Sequence, residues 1–286
     1  MHRLFLERVA AHFLSVLCFG ALLTHAAAEP VAAQEPSLRD STIRLNGIEQ
    51  YFRFGGAGEP VVLLNGFTQT GDQWLEAATD LMRTHRVILP DLRGHGRSTN
   101  PANTYTHRQV ALDIYALLDA LGLREFKAMG NSSGGMVLLH MATQQPARVT
   151  SMVLVASTTH FPEQARKLME ASTVESMTAE EWSRMRAQHP RGDDQIRALR
   201  EQFRAMKDSY DDMNFTPEQL KTITARTLII HGDRDQYFPV EIAMAMYRSI
   251  PGSSLFIVPN GLHSILRNNA QVPILPTALA FIKQGK

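Results

Sequence analysis

The sequence predicts an α/β fold, a mostly parallel sheet with helices on both faces. Three observations lead there. Short runs such as Val61–Leu64 are apolar at every position, as strands buried on both faces must be. They alternate with stretches whose apolar residues recur at helical spacing, which argues for parallel strands joined by helical crossovers. Finally, residues 126–141 read FKAMGNSSGGMVLLHM, a buried strand turning sharply into a buried helix with Ser132 at the apex. Such a turn lifts the serine hydroxyl clear of the backbone. It requires glycine at Gly130 and Gly134, where any Cβ is expected to meet the opposite arm. The helix start behind it offers free backbone N–H groups, that of Ser133 among them.

Residues 1–28 have the three parts of an export signal: a basic start (Arg3, Arg8), an apolar run from Val9 to Leu23, and small residues at Ala26-Ala27-Ala28. Cleavage is expected after Ala28. The alternative, an uncleaved anchor, is disfavoured because the run is short for a membrane span and ends in an Ala-x-Ala site. Export to the periplasm or the medium follows as an expectation, with no stable membrane insertion after cleavage. Cys18, the one cysteine, lies inside this segment, so the mature chain has no thiol for a nucleophile, a disulfide or a metal. Losing Arg3, Arg8 and Glu7 takes the formal charge from +1 to zero. That balance suggests no nucleic-acid partner. About 258 residues remain, enough for one large domain. Residues 29–41 read as a flexible leader.

A hairpin is expected next, Thr42–Leu45 and Ile48–Phe54 around Asn46-Gly47, a pair suited to the positive φ angles of a two-residue turn. The buried strand Val61–Leu64 ends in Asn65-Gly66-Phe67, where the backbone N–H of Phe67 is placed to serve as an oxyanion donor. Arg86–Pro90 is another strand, followed by Asp91-Leu92-Arg93-Gly94-His95-Gly96-Arg97-Ser98. A catalytic or metal role for His95 is conceivable, but a tight loop with Asp91 and Arg93 paired locally is the preferred reading. Thr106 to Gln109 has capping-box spacing, and Val110, Ile114, Leu117, Leu118 and Leu121 follow at helical spacing up to Gly122. Ser151 to Ser157 is a further buried strand.

From residue 158 to 222 the β-branched runs vanish and charged, Met-rich helical segments take over. Thr178 and Thr216 begin capping boxes, and Asp193 is a third candidate cap for a helix running to about Asp208. An all-helical insertion between strands is a candidate lid. Its apolar residues, among them Phe161, Met169, Met177, Trp182, Met185, Phe203, Met206 and Phe215, either face a cavity or pack the insertion. The sheet resumes at Thr227–His231, ending in Gly232-Asp233-Arg234-Asp235 before Pro239 opens a helix. Ser254–Val258 is the last strand, leading through Pro259 to His263, and residues 272–284 form the closing helix.

A parallel sheet gathers its strand C-termini on one edge, where open α/β folds assemble their sites. Ser132, one aspartate of the Asp233/Asp235 pair, and His263 each fall just after such a strand, in the chain order serine, acid, histidine. On these residues, with Gly130–Gly135, Asn65–Phe67, Asp91–Ser98 and Gly232–Pro239, the chain resembles the α/β-hydrolase superfamily, its lid-bearing branch, over about Ile43 to Lys286. The resemblance implies a core of residues 42–157 and 223–286 interrupted by a lid at 158–222. It implies no cofactor and no metal, and a triad of Ser132, Asp235 and His263 with the N–H groups of Phe67 and Ser133 as oxyanion donors. Family members often carry the acid four residues before a proline, which selects Asp235 ahead of Pro239 and leaves Asp233 to the turn. Phe67, Trp182 and Met136 are the candidate substrate contacts.

Two departures bear on substrate. Asn65 stands where the family commonly has histidine, and Ser264 follows His263 where carbon–carbon hydrolases usually have tryptophan, although Asn131 before the serine resembles those enzymes. The leading expectation is an exported hydrolase of a small, largely apolar carboxylic ester or lactone. A carbon–carbon hydrolase of diketone-like substrates needs a cation for a carboxylate, with Arg184 and Arg186 as candidates. An aminopeptidase would use Glu180 and Glu181, and a haloperoxidase-like activity needs the same triad. A binding protein on a hydrolase scaffold is the non-enzymatic alternative, disfavoured because all three triad residues are present.

Overall fold

The computed structural model describes residues 37–268 and 272–285. The export segment expected at 1–28 lies outside them. Eight strands form one sheet: β1 (Arg39–Leu45), β2 (Ile48–Gly55), β3 (Glu59–Leu64), β4 (His85–Pro90), β5 (Phe126–Asn131), β6 (Val149–Val155), β7 (Arg226–Gly232) and β8 (Ser254–Val258). Their order is β1-β2-β4-β3-β5-β6-β7-β8. The β1–β2 and β2–β4 pairs are antiparallel and all others are parallel. The turn between β1 and β2 has Asn46 at φ 45° and Gly47 at φ 76°, the two left-handed residues that keep Leu45 opposite Ile48.

Strand β1 begins at Arg39, inside the stretch expected to be a leader, and pairs Arg39 with Phe54. It is an edge strand with no fully buried residue, so its polar sequence gives no apolar signal; backbone pairing and the Arg39 guanidinium over the Phe54 ring hold it.

The helices are α1 (Leu75–Leu81), α2 (His107–Ala120), α3 (Ser133–Gln144), α4 (Glu163–Ala171), α5 (Ala179–Gln188), α6 (Asp193–Ala205), α7 (Pro217–Leu220), α8 (Val240–Ser249), α9 (Ile265–Asn268) and α10 (Ile274–Lys283). Alternation along β3 explains the layers. Val62 and Leu64 pack under α2 and α3 with Val110, Ile114 and Leu138, while Val61 and Leu63 pack on the other face with Leu81 of α1 and Ile282 of α10. Full burial of each such side chain contributes roughly 2 kcal/mol. Helix α2 starts at Thr106, whose hydroxyl accepts from the N–H of Gln109, and Gly122 at φ 71° turns the chain out of it.

Between β6 and β7 the chain carries α4 to α7. Thr178 and Thr216 close both halves of their capping boxes. Asp193 does not cap α6. Gly192 takes the cap position, while Asp193 receives two bonds from the Arg186 guanidinium, at 2.8 and 2.7 Å; α6 ends at Ala205 and a 3₁₀ turn, Met206–Asp208, carries the helical path to Asp208 as expected. The expected Asp91–Arg93 pair is also absent. Arg93 is drawn to the fully buried Asp113 of α2 at 2.7 and 2.8 Å, and Asp91 accepts instead from the N–H groups of Gly71 and Arg97. Among the described residues no helix is long and apolar enough to cross a membrane, and no group of three or more His, Asp or Glu is placed to hold a metal ion.

Candidate active site

The site forms where β3, β5, β7 and β8 end. Ser132 sits between β5 and α3 at φ 50°, ψ −114°, a backbone region that L-residues rarely occupy. The turn is held by the Ser132 N–H on the Val155 carbonyl at 2.8 Å and by the Met136 N–H on the Ser132 carbonyl at 3.0 Å. A Cβ on Gly130 would lie 2.5 Å from the Gly134 carbonyl carbon, across the elbow as expected. A Cβ on Gly134 would instead meet the Leu64 carbonyl oxygen of β3 at 2.2 Å. That glycine is therefore required by helix-to-sheet packing.

His263, in the loop after β8, lies with Nε2 3.0 Å from Ser132 Oγ and Nδ1 2.8 Å from Asp235 Oδ2. Asp235 Oδ1 accepts from the N–H groups of Tyr237 and Phe238 at 2.8 and 3.0 Å. A carboxylate at Nδ1 assigns that nitrogen its proton and leaves the Nε2 lone pair for the serine hydroxyl. Asp233 takes no part, its N–H being on the Val258 carbonyl. Two glycines let the loops meet: a Cβ on Gly232 would sit 2.2 Å from the Gly261 carbonyl oxygen. Beneath Asp235, the buried His231 donates from Nε2 to the Phe238 carbonyl at 2.9 Å, and burial lowers its pKa. It is thus a neutral buttress, which the sequence reading overlooked.

The loop after β3 is pinned by Asn65, whose amide donates to the carbonyls of Gly66 and Gln69 at 2.9 Å each. The N–H of Phe67 has no acceptor among the described residues, and that of Ser133, first residue of α3, has none within its helix. His95 is buried against the Phe67 ring, edge to face at 4.7 Å, with Nδ1 3.0 Å from the Arg93 carbonyl. Burial lowers its pKa to about 3, so it is a neutral support for Phe67. His189, at the end of α5, accepts from the Gly96 N–H at 2.9 Å and donates to the Thr68 carbonyl at 3.2 Å. It joins the helical segment to both loops, across sequence distances that no local pattern announces.

A cavity of about 310 Å³ opens over Ser132, His263 and these N–H groups. Phe67 and Met136 line it, as do Phe161, Met169, Phe203 and Met206 from the helical segment. Trp182 does not. Helix α5 turns Glu181 and Arg184 to the cavity, while the Trp182 ring lies 5.2 Å from the guanidinium carbons of both Arg186 and Arg197. Met185 is in the core, Phe215 packs on His140 at 4.8 Å, and neither these nor Met177 reach the cavity. Arg184, Arg200 and Arg267 supply positive charge at its wall, whereas Glu180 and Arg186 are not part of it.

Comparison with known proteins identifies the fold family. A 2-hydroxymuconate semialdehyde hydrolase from a Pseudomonas species is 26% identical over 238 residues, covering 74% of this chain and 82% of that protein. A non-heme chloroperoxidase from Burkholderia pyrrocinia is 27% identical over 271 residues, covering 83% and 97%. The solved structure of an N-acyl homoserine lactone degrading enzyme superposes with a TM-score of 0.65 at 25% identity, covering 83% of this chain and 99% of that one. A family model described as the alpha/beta hydrolase fold matches residues 59–221. With eight strands in the order found here and a serine on the turn after β5, the chain belongs to the α/β-hydrolase fold family.

Proposed function

We propose that the chain is an exported serine hydrolase that cleaves small, largely apolar carboxylic esters or lactones through an acyl-enzyme. One observation carries this reading: Asp235, His263 and Ser132 form an unbroken hydrogen-bond chain that ends in a cavity beside two free backbone N–H groups. His263 removes the Ser132 proton as the oxygen attacks the carbonyl carbon, and Asp235 stabilises the imidazolium. The N–H groups of Phe67 and Ser133 receive the oxyanion, each contributing roughly 3 kcal/mol to the transition state. His263 protonates the departing alcohol, then takes a proton from the water that hydrolyses the ester at Ser132. The helical segment acts as a lid, since Phe161, Phe203 and Met206 roof the cavity. Export rests on the pattern of residues 1–28, and N-terminal sequencing of the protein recovered from its host tests it.

The test of the activity is hydrolysis of p-nitrophenyl esters of increasing acyl length by the chain from Glu29, beside Ser132→Ala. Turnover that peaks at a short acyl chain and vanishes in the variant is expected. Full turnover by Ser132→Ala of every ester hydrolysed would overturn the reading.

A second reading is favoured by one feature. Arg184 and Arg267 share the cavity wall, and burial, then the neighbouring Arg184 charge, lower the Arg267 pKa. With Arg200 they make three cations against the one carboxylate of Glu181 at this wall, a balance that suits an acid-bearing substrate, as a carbon–carbon hydrolase of diketones would require. Arg184→Gln then raises KM for carboxylate-bearing diketones and leaves neutral esters unchanged; equal effects on both sink this reading.

A further inference from the structure

A second serine, histidine and aspartate stand in line directly behind the first. Ser133 Oγ lies 3.1 Å from His107 Nε2, and His107 Nδ1 lies 2.7 Å from Asp212 Oδ2. Ser133 and His107 are buried and Asp212 nearly so. Asp212 belongs to the helical segment, between α6 and α7, whereas His107 is the first residue of α2 and Ser133 the first of α3. The same carboxylate accepts the backbone N–H of His107 at 2.7 Å and that of Arg108 at 3.0 Å. One side chain of the segment therefore caps α2 from outside and holds the imidazole that holds Ser133.

The direction of these bonds is set by chemistry. A carboxylate at Nδ1 makes that nitrogen the donor, so Nε2 of the neutral ring accepts and the Ser133 hydroxyl donates. This fixes the Ser133 side chain at the position where its own N–H must face a developing oxyanion. The network also reaches the other donor. The Tyr105 ring stands edge-on to His107 at 5.4 Å and edge-on to Phe67 at 5.0 Å, so Ser133 is held by His107 directly and Phe67 leans on it through Tyr105.

We propose that Asp212 and His107 are positioning residues that tie the geometry of the oxyanion hole, through Ser133 and Tyr105, to the seating of the helical segment. The proposal rests on the reading of Ser132 as nucleophile. Donors of this kind act only if held in place before the reaction, and their contribution falls steeply when they are misaligned. In Ser133→Ala the residues of the helical segment that roof the pocket are unaltered, so the loss appears in kcat and not in KM.

The decisive variants are Ser133→Ala, which keeps the N–H and removes only the hydroxyl, Asp212→Asn, and the two combined. On a p-nitrophenyl ester, each single variant is expected to lower kcat about ten-fold with KM within about two-fold. The double variant is expected to be no worse than the poorer single one, because both cut the same chain. A trifluoromethyl ketone, which forms a tetrahedral adduct with an oxyanion, should lose affinity in parallel. Unchanged kcat in Ser133→Ala overturns the proposal, as do losses that multiply in the double variant or fall on KM. If Asp212→Asn is too unstable to assay, His107→Gln takes its place in the cycle. Failure of the underlying reading is distinguishable, since turnover would then survive Ser132→Ala whatever Ser133 does.

Discussion

Asp235 Oδ2 lies 2.8 Å from His263 Nδ1, while the other oxygen of the same carboxylate accepts the N–H groups of Tyr237 and Phe238. Every lone-pair direction that matters is thus occupied before substrate arrives. Asp235→Asn keeps the shape but loses the charge and can place an amide proton against Nδ1, favouring the wrong tautomer. Its kcat should fall by about 10³–10⁴-fold. Asp233→Asn, two residues earlier and outside the chain, should stay within about two-fold of wild type. Similar losses in both variants would show that the acid has been misassigned.

Ser132 holds a left-handed backbone at φ 50°, strain that suits a residue kept for chemistry over stability. Glycine adopts that conformation freely. Ser132→Gly should therefore abolish ester turnover and raise stability by about 1 kcal/mol, read as an upward shift in the urea midpoint. A lower midpoint would mean that the strain is carried elsewhere.

Phe203 of α6 roofs the cavity and leans on Phe67 at a ring distance of 5.6 Å. Truncation to alanine opens space directly above the nucleophile. Phe203→Ala should shift the preferred p-nitrophenyl ester to a longer acyl chain and raise KM for the shortest. An unchanged chain-length profile would place the acyl group on the other side of the cavity.

What could be read in the sequence was what depends on neighbours in the chain. Strands such as Val61–Leu64 announce burial on both faces, and a serine flanked by Gly130 and Gly134 announces a sharp strand-to-helix turn, although Gly134 is required by packing on β3 and only Gly130 by the turn itself. The relation of Ser132 to Asp235 and His263 was legible because all three follow strands of one parallel sheet, so topology alone brings them to one edge. Interactions formed across the fold left no such trace. Arg93 has Asp91 two residues away, yet binds Asp113, because the Asp91 carboxylate, also buried, is taken by the N–H groups of Gly71 and Arg97 while Asp113 lies fully buried against the guanidinium. His189 reaches Gly96 from the end of α5, and Asp212 reaches His107 from the loop between α6 and α7, placements that no local spacing encodes. Trp182 had the composition of a pocket residue, but the rotation of α5 about its axis gave that place to Arg184.

Asp212 also makes a prediction about acid stability. Burial pushes its carboxyl up, but the hydrogen bonds from the His107 ring and from the N–H groups of Arg108 and His107 outweigh burial and lower the pKa from 3.8 to about 2. A carboxyl depressed in the folded state stabilises the protein above its unfolded value and loses that contribution as pH falls toward the folded one. The shift corresponds to about 2 kcal/mol at neutral pH, and roughly half is lost by pH 3. Asp212→Asn cannot titrate, so its deficit in urea stability against wild type should be greatest at pH 6 and should shrink by about 1 kcal/mol at pH 3. A deficit that stays constant between those two values would show that Asp212 acts through hydrogen bonds that its charge does not strengthen. In that case the helical segment would still be joined to α2 and Ser133, but by an uncharged link that acid leaves intact.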